Sequence, residues 1–144
     1  MPRPSSEHPT PGELEVLQVL WRLGPCTVRQ VMEALNRTRR RAYTSVMSLL
    51  NVMADKRLVR RKPLGRAFVY SAGVREQPTL RRMVGDLVER AFAGSAGQLV
   101  VHALEQTDPS VHDLDQIRRL IEDHISRKLP HSAPEAHPLK ESKS

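Results

Sequence analysis

Cysteine is almost missing from this 144-residue chain: Cys26 is the only one. An internal disulfide, a CxxC redox pair and a thiolate-rich zinc site are thereby excluded. Aromatic residues are also scarce, with one Trp, two Tyr and two Phe, so the core has to be aliphatic, built from Leu, Val, Met, Ile and Ala. No apolar run approaches the ~20 residues of a membrane helix, so no membrane insertion is expected. Met1 to Gly12 is polar and proline-rich without an apolar stretch, and no secretory signal is read there. There is no glycine-rich phosphate loop, no Ser/His/Asp order and no nucleophile elbow. His112 and His124 are 12 positions apart, which is not the i, i+3 or i+4 spacing of a helical ligand pair. The expectation is a cytoplasmic protein that is not an enzyme and has no metal and no cofactor.

What the chain does have is positive charge. Lys and Arg number 23 against 16 Asp and Glu, a net +7. The excess is local. From Arg37 to Arg66 there are ten basic residues (Arg37, Arg39, Arg40, Arg41, Lys56, Arg57, Arg60, Arg61, Lys62, Arg66) and one acid, Asp55. The rest of the chain sums to −2. A charge run is commonly just a solvated face; concentrated on particular elements, it becomes a footprint for a polyanion.

Punctuation divides the chain into a loose N-terminus (1–9), a first domain (10–74), a helical second domain (75–129) and a Pro/Ser-rich tail (130–144) expected to be disordered. Thr10-Pro11-Gly12-Glu13 is a capping box with Pro in the first turn. Leu14, Leu17, Leu20 and Trp21 follow on one face, with Val16 beside them, until Gly24-Pro25. Thr27-Val28-Arg29-Gln30 opens a second helix striped by Val28, Val31, Met32 and Leu35. A third helix is expected from about Ala42 to Lys56, with Val46, Leu49, Leu50 and Met53 toward the core. Its other side carries Thr44, Ser45, Met47, Ser48 and Asn51. That face is short, polar and nearly uncharged, whereas a helix kept for solubility would show Glu and Lys there. Strands Leu58–Arg61 and Ala67–Tyr70 are expected to flank a basic loop, Lys62 to Arg66. Beyond Gln77 come three apolar stripes, one including Leu80, Val84 and Leu87, one including Leu99, Val100 and Leu104, and a last one with Leu114, Ile117 and Ile121 after a capping box at Ser110 to Asp113. Three helices in ~50 residues enclose little core by themselves. A second copy of the chain is the expected cover.

Helix, helix, helix, basic hairpin is the order of a winged helix-turn-helix. The fold class is therefore mainly α with a small β-hairpin wing, followed by a C-terminal helical dimerisation domain. Short polar side chains let a helix backbone approach base edges in the major groove. Thr44, Ser48 and Asn51 are the expected base readers. Arg39, Arg40, Arg41, Tyr43, Ser45, Arg60, Lys62 and Arg66 are the expected flanking contacts, the arginines to phosphate. Leu80, Leu87, Leu99, Val100, Leu104, Leu114, Ile117 and Ile121 are the expected dimer contacts. Cys26 reads as a small apolar residue at a helix junction.

The segments TPGELEVLQVLWRLGPCTVRQVMEAL (10–35), AYTSVMSLLNVMADKRLVRRKPLGRAFVYSA (42–72), QLVVHALEQ and DLDQIRRLIEDHI resemble the penicillinase-repressor (BlaI/MecI/CopY) family of winged-helix regulators. The resemblance spans about residues 10–127. It implies a homodimeric repressor that binds a palindromic operator in double-stranded DNA. His102-Ala103 stands where the β-lactam-responsive members present an Asn-Phe bond to a protease, and no Cys-x-Cys motif of the copper-responsive members is present. The resemblance thus does not identify the inducer, nor a sensor or protease partner. The alternative reading is a winged-helix module that binds protein or RNA without operator specificity.

Overall fold

The computed structural model describes residues 8–129. The expected tail, 130–144, and residues 1–7 lie outside them. The N-terminal segment expected to be loose through residue 9 is already engaged at its end. Pro9 is buried, and His8 Nε2 lies 3.6 Å from Asp86 Oδ2.

The first capping box forms as its residue types require. The Glu13 N–H donates to Thr10 Oγ1 at 3.2 Å, and the Thr10 N–H to Glu13 Oε1 at 2.9 Å. Helix α1 (Pro11–Leu23) ends at Gly24, whose φ of 82° favours glycine. A two-residue strand, β1 (Cys26–Thr27), follows. Thr27 then caps α2 (Val28–Leu35) in a second reciprocal box with Gln30. Helix α3 (Tyr43–Asp55) starts at Ala42 with no side-chain cap. Arg57, at φ 66°, turns the chain into the hairpin β2 (Val59–Leu64) and β3 (Ala67–Ala72).

The hairpin corrects one expectation. The loop Lys62 to Arg66 shrinks to a tight turn at Gly65-Arg66, and Leu64 pairs with Ala67. Pro63 suggested a loop, but the sheet order β1-β3-β2 makes β2 an edge strand. An edge tolerates a residue that cannot donate a ladder bond.

Helices α1 to α3 enclose Val16, Leu17, Leu20, Val31, Val46, Leu50 and Met53, and Val59 and Tyr70 from the sheet close the core. Each such side chain contributes about 1.5–3 kcal/mol by leaving water. Trp21 donates its indole N–H to the Val74 carbonyl at 3.0 Å. That bond ties α1 to the segment leaving β3. Gly73 passes so close to the Arg57–Leu58 backbone that an added Cβ would sit 2.7 Å from the Arg57 oxygen.

Two compact units divide after Gly94. Helix α4 (Glu76–Ala91) therefore falls with the first unit, although the sequence boundary at 75 grouped it with the second. Its Thr79 is buried and its Leu80 half-buried, while Leu87 is exposed.

The second unit contains α5 (Ala96–Gln106) and α6 (Val111–Lys128). Ser110 caps α6 by accepting from the Asp113 N–H at 3.0 Å, but the return bond of a capping box does not form. Asp is one methylene shorter than the Glu that normally reaches back. No residue of α5 or α6 is buried. Leu99 and Ile117 are half-buried; Val100, Leu104, Leu114 and Ile121 are 36–49% exposed.

Candidate nucleic-acid interface

The turn between α2 and α3 is fixed by side chains. Asn36 accepts from the Arg41 N–H at 2.8 Å. The Arg41 guanidinium donates to the Leu35 carbonyl at 2.8 Å, the Arg39 carbonyl at 3.0 Å and Glu15 Oε1 at 2.6 Å. One side chain thus joins α1, the end of α2 and the turn. This corrects the expectation that Arg41 reaches phosphate, because its charge is held inside the protein.

Lys56 is engaged similarly. Its ammonium lies 2.8 Å from Glu13 Oε2, and Glu13 is buried. Arg39 lies 3.8 Å from Glu15 with its side chain 69% exposed. Arg37, Arg40, Arg57, Arg60, Arg61, Lys62 and Arg66 form no ion pair with a carboxylate among the described residues. The positive charge of the block is therefore reduced at the α1 side and retained on the turn and the wing.

Burial of Val46, Leu50 and Met53 turns the other side of α3 outward. Tyr43, Thr44, Ser45, Met47 and Ser48 are exposed on it. No acidic side chain interrupts this stretch, from Tyr43 to Ala54. Asn51 is half-buried at its edge and has partners of its own: its Oδ1 accepts from Arg61 Nη1 at 2.9 Å and from the Tyr70 hydroxyl at 3.3 Å.

Pleating sorts the wing. Arg61 pairs with Tyr70 and follows buried Val59 by two, so it shares the face turned toward α3. Arg60 and Lys62, the expected contacts, lie on the opposite face of the hairpin, and Arg66 is at its tip. Arg61 was not among the expected contacts, yet its alternation with Val59 could have revealed it. Its guanidinium sits 5.1 Å over the Phe68 ring, which meets Tyr70 edge to face at 6.5 Å. Between α3 and the wing runs an open groove of about 560 Å³, lined by Arg29, Tyr43, Met47, Asn51, Arg61 and Phe68 among others.

Elsewhere, burial pushes the Cys26 thiol above its ordinary pKa, and its sulfur lies 3.3 Å from the Gly24 carbonyl. Among the described residues no three His, Cys, Asp or Glu converge to hold a metal ion, and no helix is long and apolar enough to cross a membrane.

A three-helix frame that exposes an uncharged face of its third helix beside a basic hairpin is a winged helix-turn-helix, a fold whose third helix and wing are shaped for a nucleic-acid duplex. The sequence model of the penicillinase repressor family matches residues 9–123, and the chain belongs to that family. A transcriptional regulator BlaI of Mycobacterium tuberculosis is 37% identical over 114 residues, covering 76% of this chain and 81% of the relative. The penicillinase repressor of Bacillus licheniformis is 23% identical over 117 residues, 81% of this chain and 91% of the relative. A solution structure of the monomeric form of Bacillus licheniformis BlaI, in complex with the blaP half-operator, covers 52% of this chain and 85% of that one. Its sequence identity is 25% and its TM-score 0.40.

Proposed function

We propose that this chain is a sequence-specific, double-stranded-DNA-binding transcriptional repressor that acts in the cytoplasm as a homodimer on a palindromic operator. The observation that carries this reading is the exposed, uncharged face of α3 between two sets of free cations, in a family of repressors. Helix α3 enters the major groove, where Thr44, Ser48 and Asn51 meet base edges. Arg40 at the turn, Arg60 and Lys62 on the wing and Arg66 at its tip neutralise phosphates and fix the register.

The second copy is called for by α5 and α6, which have no fully buried residue within one chain. Leu99, Val100, Leu104, Leu114, Ile117 and Ile121 are the proposed contacts, with Leu80 and Leu87 of α4. Obligate homodimers of this kind commonly bury ~2,000 Å² or more of mostly apolar surface. Two-fold symmetry then places the recognition helices on half-sites about 34 Å apart, or a small multiple of that.

Selection of bound DNA from a random pool tests the reading. A palindromic consensus is the expected result. A pool that yields no consensus refutes operator recognition and leaves the protein- or RNA-binding module.

A further inference from the structure

Asn51 is chemically one-sided. An Asn side chain offers one oxygen acceptor and one NH₂ group with two donors. Arg61 carries only donors, so the Asn51 atom it meets at 2.9 Å has to be the oxygen. The Tyr70 hydroxyl approaches the same atom at 3.3 Å, from a side chain only 2% exposed whose ring is fixed in the core. Two donors fill the two lone pairs of Oδ1. The NH₂ group meets no acceptor among the described residues, and Asn51 lines the open groove beside Met47 and Phe68.

We infer that Arg61 and Tyr70 are positioning residues that lock Asn51 into a donor-only reader, so that it selects guanine rather than adenine at one operator position. This rests on the DNA-binding reading above and specifies its chemistry. A free Asn recognises adenine by accepting from N6–H₂ while donating to N7. That pairing needs Oδ1, which Arg61 and Tyr70 occupy. The remaining NH₂ group matches the two acceptors of guanine, O6 and N7, whereas on adenine it keeps N7 alone and meets the N6 amino group donor to donor. A wing residue and a core tyrosine thereby set what a recognition-helix residue can read.

The experiment uses the full-length chain and the consensus taken from the random pool. Every half-site position is changed to each other base, and affinities are measured by fluorescence anisotropy at one salt concentration. The proteins are the wild type, Asn51→Ala, Tyr70→Phe, Arg61→Met and Arg61→Lys. One position should lose its preference in Asn51→Ala, and there the wild type should favour guanine over adenine by roughly 5- to 100-fold. Tyr70→Phe, which changes no charge, and Arg61→Met should narrow that ratio at this position alone and improve adenine binding. Arg61→Lys, which keeps a donor, should restore guanine. A merely structural role would lower affinity at all positions alike.

A wild-type preference for adenine at the Asn51-dependent position overturns the inference. So does a guanine preference unchanged in both Tyr70→Phe and Arg61→Met. A consensus at which Asn51→Ala alters no position overturns it while leaving operator recognition standing. A pool without consensus overturns both.

Discussion

Arg41 and Arg66 carry the same charge in the same basic block, and removing them should have opposite effects. The Arg41 side chain is 11% exposed and donates to two carbonyls and to Glu15. Hydrogen bonds from a charged donor contribute about 1.5–3 kcal/mol each when sheltered. The Glu15 carboxylate is 43% exposed, so the ion pair itself adds only about 0–1 kcal/mol. Arg39, 3.8 Å from the same oxygen, takes over part of it. Arg41→Met keeps the apolar stem and should cost about 2–4 kcal/mol, because the charged bonds to the Leu35 and Arg39 carbonyls and to Glu15 are lost together, although the Leu35 carbonyl keeps its Thr38 and Arg39 donors. For a domain of this size that lowers Tm by roughly 10–25 °C. Arg66 sits exposed in the hairpin turn, so Arg66→Ala should leave stability within about 0.5 kcal/mol. It should instead reduce the slope of log K against log[salt] by about 0.9 for each phosphate that is no longer neutralised, close to 2 for a dimer. Calorimetric melting, with anisotropy titrations at several salt concentrations well below either Tm, measures both quantities. An Arg41→Met protein that melts with the wild type and has a shallower salt slope would refute the clamp and return Arg41 to the phosphate-binding set.

Gly73→Ala should lower the urea midpoint by an amount equivalent to about 1–3 kcal/mol, since the new methyl would sit 2.7 Å from backbone oxygen that cannot swing away. Burial raises the Cys26 pKa, so at pH 8 its thiolate fraction lies below that of a free cysteine. Mass spectrometry should find iodoacetamide labelling slow in the folded protein and fast in urea, and equal rates would contradict the buried thiol. Ile121→Asp should give a monomer by sedimentation at micromolar concentration with the first unit still folded; a dimer unaffected by the change would remove α6 from the proposed interface.

Elements governed by neighbours in sequence were legible beforehand. Thr10 with Glu13, Thr27 with Gln30 and the stripe Val46, Leu50, Met53 are local patterns, and each formed. Strand β1 was not legible, because two residues have no periodicity and Cys26–Thr27 is extended only by pairing with Val69 and Tyr70. Charge was legible as a total but not in its disposition. Arg41 meets Glu15 across 26 positions and Lys56 meets Glu13 across 43, and nothing local announces either pair. Asn51 was recognisable as a polar residue on the outward side of α3. That its oxygen is occupied depends on Tyr70, 19 residues away in the sheet. The split after Gly94 was hidden for a similar reason: α4 has an apolar stripe like those of α5 and α6, and it is the burial of Thr79 and the approach of His8 to Asp86 that reveal its attachment to the first unit.

The indole of Trp21, bonded to Val74, is a natural optical probe with a restricted view. It is the only tryptophan in the chain and lies wholly within the first unit. Its fluorescence therefore follows the unfolding of the winged unit, and the second unit contributes nothing to that signal. Far-ultraviolet circular dichroism sees the helices of both. With no buried residue of their own, α5 and α6 should owe their order to association, so their part of the dichroism transition should move to higher temperature as protein concentration rises. Unfolding curves recorded by the two signals on unmodified protein at several concentrations would then separate the stability of the DNA-facing frame from that of the assembly.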